Sequence, residues 1–398
     1  MPMDGASEQV RLVEELLAPA GQELLAVLAA EPAGAATGLR LGAALRARWP
    51  AELVAAAVAQ RELRELAGAK FRLAERMLFT RPGLEQASSE PLARHRARRY
   101  EGVGLVADLC TGIGGDLLAL AAGRRALAVD SDPVHLRMAA VNAGAYGAGD
   151  GVEAVLADVR DTRLDGVGAV FVDPARRAGA RRLRAGLSEP LLAWCLGLAA
   201  RVAAVGVKAA PGLPLDLVPA GWEVEFVAEG RDLKEAMLWS PALATAWRRA
   251  TVLPAGDTLV PEPGPEVPCG PPGAWLVDPN PAVTRAAAVE ELARRLGAWK
   301  LDQRIAFLSS DAEPRTPFGR TLRVDASMPF GLKRLRERLR ALGVGAVDIR
   351  RRGLAGDVDD LRRRLRLGGG SRATVVLTRA TGRPWALVCS DPEAPPLG

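Results

Sequence analysis

The sequence predicts an α/β protein: a doubly wound domain built on a parallel sheet, preceded by helices and followed by a smaller α+β unit. Three observations carry that reading. The first eighty residues are rich in Ala and Leu at helical spacing, as in Leu12, Leu16 and Leu17 and then Leu24, Leu25 and Leu28. From about residue 104, short apolar runs alternate with helix-like ones, as in parallel strands covered on both faces by crossover helices. From 321 to 389 the alternation returns as a compact βαβαββ order.

Within residues 1–83, Pro32, Gly34 and Gly38 interrupt the helical pattern, and Pro50 opens the helix PAELVAAAVAQRELREL. This segment is expected to be a small helical bundle acting as a lid or a partner surface. Residues 84–252 form the doubly wound domain. Its elements in order are GLVADLC, GDLLALAAG, ALAVD, DPVHLRMAAVNAGAYG, VEAVLAD and AVFVD, then a helix from Pro190 through Leu198, and the strands VAAVGVK and WEVEFVAEG. Residues 253–314 begin with a Pro/Gly-rich stretch and read as a connector carrying a helix around 283 to 299. Residues 315–398 hold LRVDA, GLKRLRERLRALG, AVDIR, DVDDLRRRLRL, ATVVLTR and PWALVC.

A chain of 398 residues suits two or three domains. Its four cysteines, Cys110, Cys195, Cys269 and Cys389, form no CxxC pair, and only His95 and His135 accompany them. A zinc knuckle, a disulfide framework and a His-rich metal site are thereby disfavoured, and no metal is expected. The thiols suit a reducing cytoplasm. No apolar stretch is long enough to span a bilayer, and MPMDGASEQV lacks a basic segment followed by an apolar one, so a cytoplasmic protein is expected. The formal charge of +6 is uneven: residues 320–379 carry 16 Lys/Arg against 6 Asp/Glu, a net +10, which leaves −4 for the rest. That asymmetry points to a polyanionic partner.

The clearest chemistry lies in VADLCTGIGGDLLALA. Gly112, Gly114 and Gly115 remove Cβ atoms where a strand turns into a helix, so a ligand can approach the backbone amides. Asp108 ends the first strand, Asp130 the second and Asp158 the third, placing three acids along one sheet edge. Asp108 can reach a ligand across the glycine loop, Asp130 suits a pair of ribose hydroxyls, and Asp158 suits an adenine amino group. Asp116, at the start of the helix after TGIGG, is expected to face the ligand and repel a pyrophosphate, and GxxxxGK[ST] is absent. A cationic nucleoside therefore fits better than a dinucleotide or a nucleoside triphosphate.

At these residues the chain resembles the Rossmann-like, class I S-adenosylmethionine-dependent methyltransferases. EQASSEPLARHRARR, DLCTGIGGD, VDSDPVHLRMAAVNAGAYG and the Asp-Pro ending the fourth strand are similar to the trimethylguanosine-synthase group of RNA methyltransferases. PGLEQAS, DPARR, LKEAMLW, VDPNPAV and the basic tail resemble bacterial proteins in which such a domain precedes a THUMP-like domain. The core resemblance covers about residues 84 to 239. It implies S-adenosylmethionine as cofactor, held by Asp108, Cys110, Gly112, Gly114, Asp130 and Asp158.

For the reacting end, the resemblance to [DNS]PP[YFW] methyltransferases implies that Asp173 and Pro174 meet the acceptor. Ala175 and Arg176 stand where those enzymes have a proline and an aromatic. Arg176 can stack on a base or grip a phosphate, and Arg177, Arg181, Arg182 and Arg184 extend the basic run, which reads otherwise as an exposed turn. DPAR also resembles the DPPR of uracil C5-methyltransferases, but VGVKAAPG has no cysteine where those enzymes place their nucleophile, and Cys195 reads as a core residue. Asp173, Lys208 and Glu235 follow the order of three members of the Lys-Asp-Lys-Glu tetrad of ribose 2′-O-methyltransferases, with Lys70 as a fourth candidate; otherwise Lys208 pairs with Asp173 or covers the sheet edge. His135 reads as a surface or packing residue and His95 as part of a basic helix. The catalytic set is thus Asp173, Pro174, Arg176 and Lys208. The expected function is methyl transfer to RNA (tRNA or rRNA), at a base nitrogen ahead of a ribose oxygen. The alternatives are a non-catalytic RNA-binding protein with a vestigial cofactor site and a small-molecule methyltransferase.

Overall fold

The computed structural model describes residues 5–30, 44–175, 177–178, 181–182 and 188–393. The chain divides into two compact units, one spanning Met1–Glu223 and Ala236–Thr245, the other Val224–Glu235 and Ala246–Gly398.

The first unit opens with helices α1 (Gly5–Leu17), α2 (Pro19–Ala30) and α3 (Ala51–Ala67). Their leucines form the expected apolar stripe: Leu16, Leu24, Leu25, Leu28 and Leu53 are buried with Trp49. Val13, Leu63 and Phe71 join a further core with Leu84, Ile113, Val134 and Met138, so the helices are packed onto the doubly wound region. Two short helices make the junction, α4 (Arg81–Gln86) and α5 (Glu90–Ala97). Thr80 caps α4 by accepting from the Gly83 N–H at 3.0 Å. Lys70 holds the segment's other end, its ammonium donating to the carbonyls of Leu84 (2.7 Å), Glu85 (3.2 Å) and Ala87 (2.9 Å).

The sheet of this unit begins with β1 (Leu105–Leu109), followed by α6 (Leu117–Leu120), β2 (Arg125–Asp130), α7 (Pro133–Ala145), β3 (Val152–Leu156) and β4 (Ala169–Val172). A small hairpin of β5 (Arg177–Ala178) and β6 (Arg181–Arg182) precedes α8 (Leu192–Gly197) and β7 (Ala204–Ala209). The chain then runs through β8 (Glu223–Glu229) into β9 (Asp232–Trp239). Across the unit the strands lie β9-β7-β4-β1-β2-β3, parallel except β9, which is antiparallel to β7. The order reverses between β1 and β4, where open α/β sheets bind ligands.

As its apolar run predicts, β4 is central, and Ala169, Val170, Phe171 and Val172 are fully buried. In contrast, β3 is the edge strand and largely exposed. The sequence signal misses β9, because LKEAMLW opens with charges. Its Trp239 is buried against Tyr100 with ring centroids 5.9 Å apart, and a Cβ at Gly206 would lie 2.2 Å from the Tyr100 hydroxyl.

In the second unit β10 (Arg248–Leu253) pairs parallel with β8 and antiparallel with β11 (Asp257–Leu259). There follow β12 (Trp275–Pro279), α9 (Pro281–Arg285), α10 (Val289–Leu296), β13 (Trp299–Asp302) and β14 (Ile305–Ser310). The expected βαβαββ order then appears as β15 (Gly319–Pro329), α11 (Leu332–Ala341), β16 (Val344–Arg351), α12 (Val358–Leu365), β17 (Ser371–Ala380) and β18 (Arg383–Ser390). One sheet contains seven of these strands, in the order β13-β14-β12-β15-β18-β17-β16. The single helix expected around 283 to 299 is two helices, separated where Ala287 takes a left-handed φ of 58°. No Gly or Pro marks that break, and Trp299 already belongs to β13. Among the described residues no helix is long and apolar enough to cross a membrane.

Candidate active site

The sheet edge at the switch point opens onto a cavity of about 510 Å³, within the size range of small-ligand sites. Its walls come from the ends of β1, β2, β4 and β7, the loop after β3, and residues 83–88, the segment docked by the N-terminal helices.

The glycine loop is shaped by backbone conformation. Cys110 (φ 62°), Gly112 (φ 56°) and Gly114 (φ 86°) are all left-handed, which only glycine adopts without strain. At Gly114 a Cβ would also meet the Ala139 backbone of α7 at 3.0 Å. Cys110 and Gly112 line the cavity, whereas Gly114 packs against α7 and serves the loop's shape. Burial pushes the Cys110 thiol pKa far up, so it is a neutral wall of the site.

The three strand-end acids line the cavity together but live in different environments. Asp108 is 1% exposed, and neither carboxylate oxygen meets a hydrogen-bond partner among the described residues. Burial, reinforced by the Asp116 charge, raises its pKa well above the ordinary value. Asp130 accepts the N–H groups of Gly112 (2.7 Å) and Asp132 (2.9 Å), tying the loop to β2. Each of its oxygens keeps a lone pair for a ligand hydroxyl. Asp158 accepts the Arg160 N–H at 2.9 Å and pairs with its guanidinium at 2.9 and 2.5 Å, which holds its pKa down at about 2. Arg160 also reaches Glu189 at 2.9 Å. The acid expected to meet an adenine amino group is thus already engaged by an arginine.

At the acceptor end, Asp173 and Pro174 follow β4, and the Asp173 N–H donates to the Leu109 carbonyl at 3.2 Å. Lys208, on β7 and 6% exposed, donates to Asp173 at 2.6 Å and to the Ser88 hydroxyl at 2.9 Å. Ser88 in turn donates to Asp116 at 3.0 Å, and Asp116 is ion-paired with the buried Arg96. A continuous polar chain therefore runs from Arg96 to Asp173. Asp116 does line the cavity as expected, but Arg96 neutralises it, so it supplies no argument against a pyrophosphate.

Among the described lining residues Lys70 and Glu235 do not appear; Lys70 is held by the carbonyls behind α4 and Glu235 is buried in β9. Cys195 is buried in α8 with its thiol pKa pushed up to about 12. Arg176 and Arg184 lie outside the described residues, as do the side chains of Arg177, Arg181 and Arg182. Ala175 and Glu189, which flank the arginine run in sequence, form an antiparallel bridge (2.8 and 2.9 Å) and line the cavity. His135, read from sequence as a surface or packing residue, lines the cavity with its Nε2 2.9 Å from the Thr80 hydroxyl. Ser88, Arg160 and Glu189 escaped sequence reasoning, since a lone Ser, Arg or Glu in a loop carries no spacing signal. Among the described residues no group of three His, Cys, Asp or Glu could hold a metal.

Known proteins match this arrangement. Two curated relatives from Mycobacterium tuberculosis, strains CDC 1551 and H37Rv, are each 42% identical over 316 residues, covering 76% of this chain and 84% of theirs. Both are described as uncharacterized S-adenosylmethionine-dependent methyltransferases. This chain belongs to the S-adenosylmethionine-dependent methyltransferases. Family models place RNA cap guanine-N2 methyltransferase over residues 103–187 of the methyltransferase, a THUMP domain-like segment over 319–391, and a domain of unknown function over 9–67. A crystal structure from Porphyromonas gingivalis W83, described as a methyltransferase, shares the fold with a TM-score of 0.72 at 21% identity, covering 87% of this chain and 92% of its own. The cavity fits the cofactor: S-adenosylmethionine is cationic at its sulfonium and ammonium, and the buried Asp108 carboxyl group, without a hydrogen-bond partner among the described residues, can take a cation as its counter-charge.

Proposed function

We propose that this methyltransferase modifies RNA at a base nitrogen, with Asp173 receiving the acceptor. The observation that carries the choice of nitrogen is the 2.6 Å contact between Lys208 and Asp173. Lys208 is already engaged with a carboxylate and with Ser88, so it is not free to act as a base on a ribose hydroxyl. The same contact fixes the Asp173 carboxyl group in place, and its oxygens can accept the N–H of an exocyclic amine. Lys70 cannot complete the hydroxyl-directed tetrad while it holds three carbonyls. The guanine-N2 family match over the same strands and the net +10 of residues 320–379 support a nucleic-acid acceptor.

Bound in the cavity, S-adenosylmethionine supplies a methyl group on a positively charged sulfur, already activated for transfer. In this reading Asp108 holds the ammonium of its amino-acid end, and Cys110 and Gly112 line the same part of the cavity. Asp130 holds the ribose, and Asp158, released in part from Arg160, meets the adenine. Asp173 and Pro174 orient the acceptor, so the protein's work is alignment. The test is nucleoside mass spectrometry of RNA from cells lacking the protein, after incubation with purified enzyme and S-adenosylmethionine carrying a labelled methyl. The expected result is label on a base. Label on ribose would overturn the nitrogen assignment, and no label in any RNA would overturn the RNA reading.

A further inference from the structure

We propose that a cleft at the β16 edge of the C-terminal sheet binds the phosphates of an RNA strand. The proposal deepens the RNA reading above and rests on it. The cleft has a volume of about 880 Å³, and Arg320, Arg362, Arg366 and Arg372 line it from four places in the chain: β15, α12, the residue capping α12, and β17.

The opening lies at the edge of the sheet. Val347 of β16 and Ala373 of β17 line it and, with Val388 of β18, also join the core against α11 and α12. Ala346, Asp348, Arg372, Thr374 and Cys389 alternate onto the other face and line the cleft. One end is closed by a backbone crossing: a Cβ at Gly345 would lie 1.8 Å from the Gly369 carbonyl oxygen, and one at Gly369 2.0 Å from that of Gly343. Only glycines can bring the LGGGS loop so close, and that approach fixes where Arg366 and Arg372, on its two sides, emerge.

The charge is incompletely balanced. Arg320 is shared between Asp391 (2.7 Å) and Asp348 (3.9 Å), and Arg362 pairs with Asp359 at 2.6 Å. Arg366 and Arg372 form no ion pair among the described residues, and both are exposed. Two guanidinium groups without an ion pair among the described residues, in a cleft with polar walls, suit neighbouring phosphodiesters, since a guanidinium binds phosphate by paired hydrogen bonds. The neighbouring surface of α11 is as basic but offers no such concavity: Arg334 and Arg338 are exposed on a helix face and do not line the cleft.

The test uses the full-length protein and fluorescently labelled, mixed-sequence single-stranded RNA, with affinity measured across a salt series. Arg366→Ala/Arg372→Ala is compared with Arg334→Ala/Arg338→Ala, which removes the same charge elsewhere, and with Arg366→Lys/Arg372→Lys. The cleft pair is expected to lose about tenfold in affinity and to flatten the salt slope by about 1.4, two phosphate contacts' worth for a single strand. The control pair is expected to change little and the lysine pair to recover part of the loss. S-adenosylmethionine binding, unchanged in every variant, reports intact folding. Equal losses in the cleft and control pairs would overturn the cleft as a site while leaving RNA as the partner. Wild-type protein that binds S-adenosylmethionine but no RNA would overturn the underlying reading as well.

Discussion

The ends of β1 and β3 carry the same residue type on the same sheet edge, and almost nothing else about them agrees. Asp108 is buried with no hydrogen-bond partner among the described residues and its pKa is driven upward, whereas the Asp158 side chain is 38% exposed and held near a pKa of about 2 by Arg160. Asp130, between them, is half-buried and bonded to two backbone amides. The cavity is therefore graded, from a buried carboxyl group without a hydrogen-bond partner among the described residues to one paired with an arginine at the rim. An acid's position at a strand end tells where it can act; its partners decide whether it has free energy left to give a ligand.

That contrast predicts a graded set of effects. The largest belongs to Asp108→Asn, expected to weaken S-adenosylmethionine binding about 100-fold or more, because the amide offers no counter-charge in a poorly solvated place. The same change should stabilise the ligand-free protein by about 1 to 2 kcal/mol, since an unpaired buried carboxylate costs free energy. Opposite signs in calorimetry and thermal unfolding would be the signature of a charge kept for a ligand. If the variant loses both stability and affinity, Asp108 is a structural residue and the contrast fails.

Asp130→Ala comes next, with an expected loss of about tenfold in cofactor affinity and about 1 to 3 kcal/mol in stability, because the Gly112 and Asp132 amides lose their acceptor. Chemical denaturation and calorimetry on one preparation would read both. Lys208→Met should leave cofactor affinity within about threefold yet lower methylation of RNA at least about tenfold, since it removes the cation that holds Asp173. A variant with normal turnover would separate Lys208 from the acceptor site.

The smallest effect belongs to Arg160→Ala. Cofactor affinity should change by less than about threefold, the range of an exposed ion pair. Without its arginine, Asp158 should titrate near the ordinary value of about 3.9, which carboxylate NMR would detect. The depressed pKa of Asp158 contributes stability above the unfolded value, and that contribution is lost as pH falls toward about 2. If Arg160→Ala mattered more than Asp108→Asn, the gradient would run the other way.

Much of the fold was legible because burial on both faces leaves near-continuous apolar runs, as in AVFV of β4, and because GLKRLRERLRALG and DVDDLRRRLRL repeat at helical spacing. Strands β9 to β14 escaped: β9 and β10 open with charged residues, β11 and β13 are three and four residues long, and most of their pairing is antiparallel, so their apolar residues need not run together. Eight of the expected site residues line the cavity (Asp108, Cys110, Gly112, Asp130, Asp158, Asp173, Pro174 and Lys208), because strand ends and glycine turns have positional signatures. Ser88 was not, although PGLEQAS stood out as a motif, because its task depends on Lys208, 120 residues away. Asp116 was misjudged for the same reason: Arg96, which neutralises it, belongs to a helix that sequence alone does not bring to the site.

The most direct test of the central claim is the pH dependence of S-adenosylmethionine binding in wild type and Asp108→Asn. An acid whose folded pKa is raised binds its proton more tightly in the folded protein, so the folded state loses that advantage as pH rises from about 4 toward the raised value. A cationic ligand needs the deprotonated form, so wild-type affinity should climb with pH across the same window and then level off. The Asn variant should bind weakly with a flat profile there. A wild-type profile that is equally flat, or a variant that binds as tightly as wild type, would contradict the assignment of Asp108 as the counter-charge.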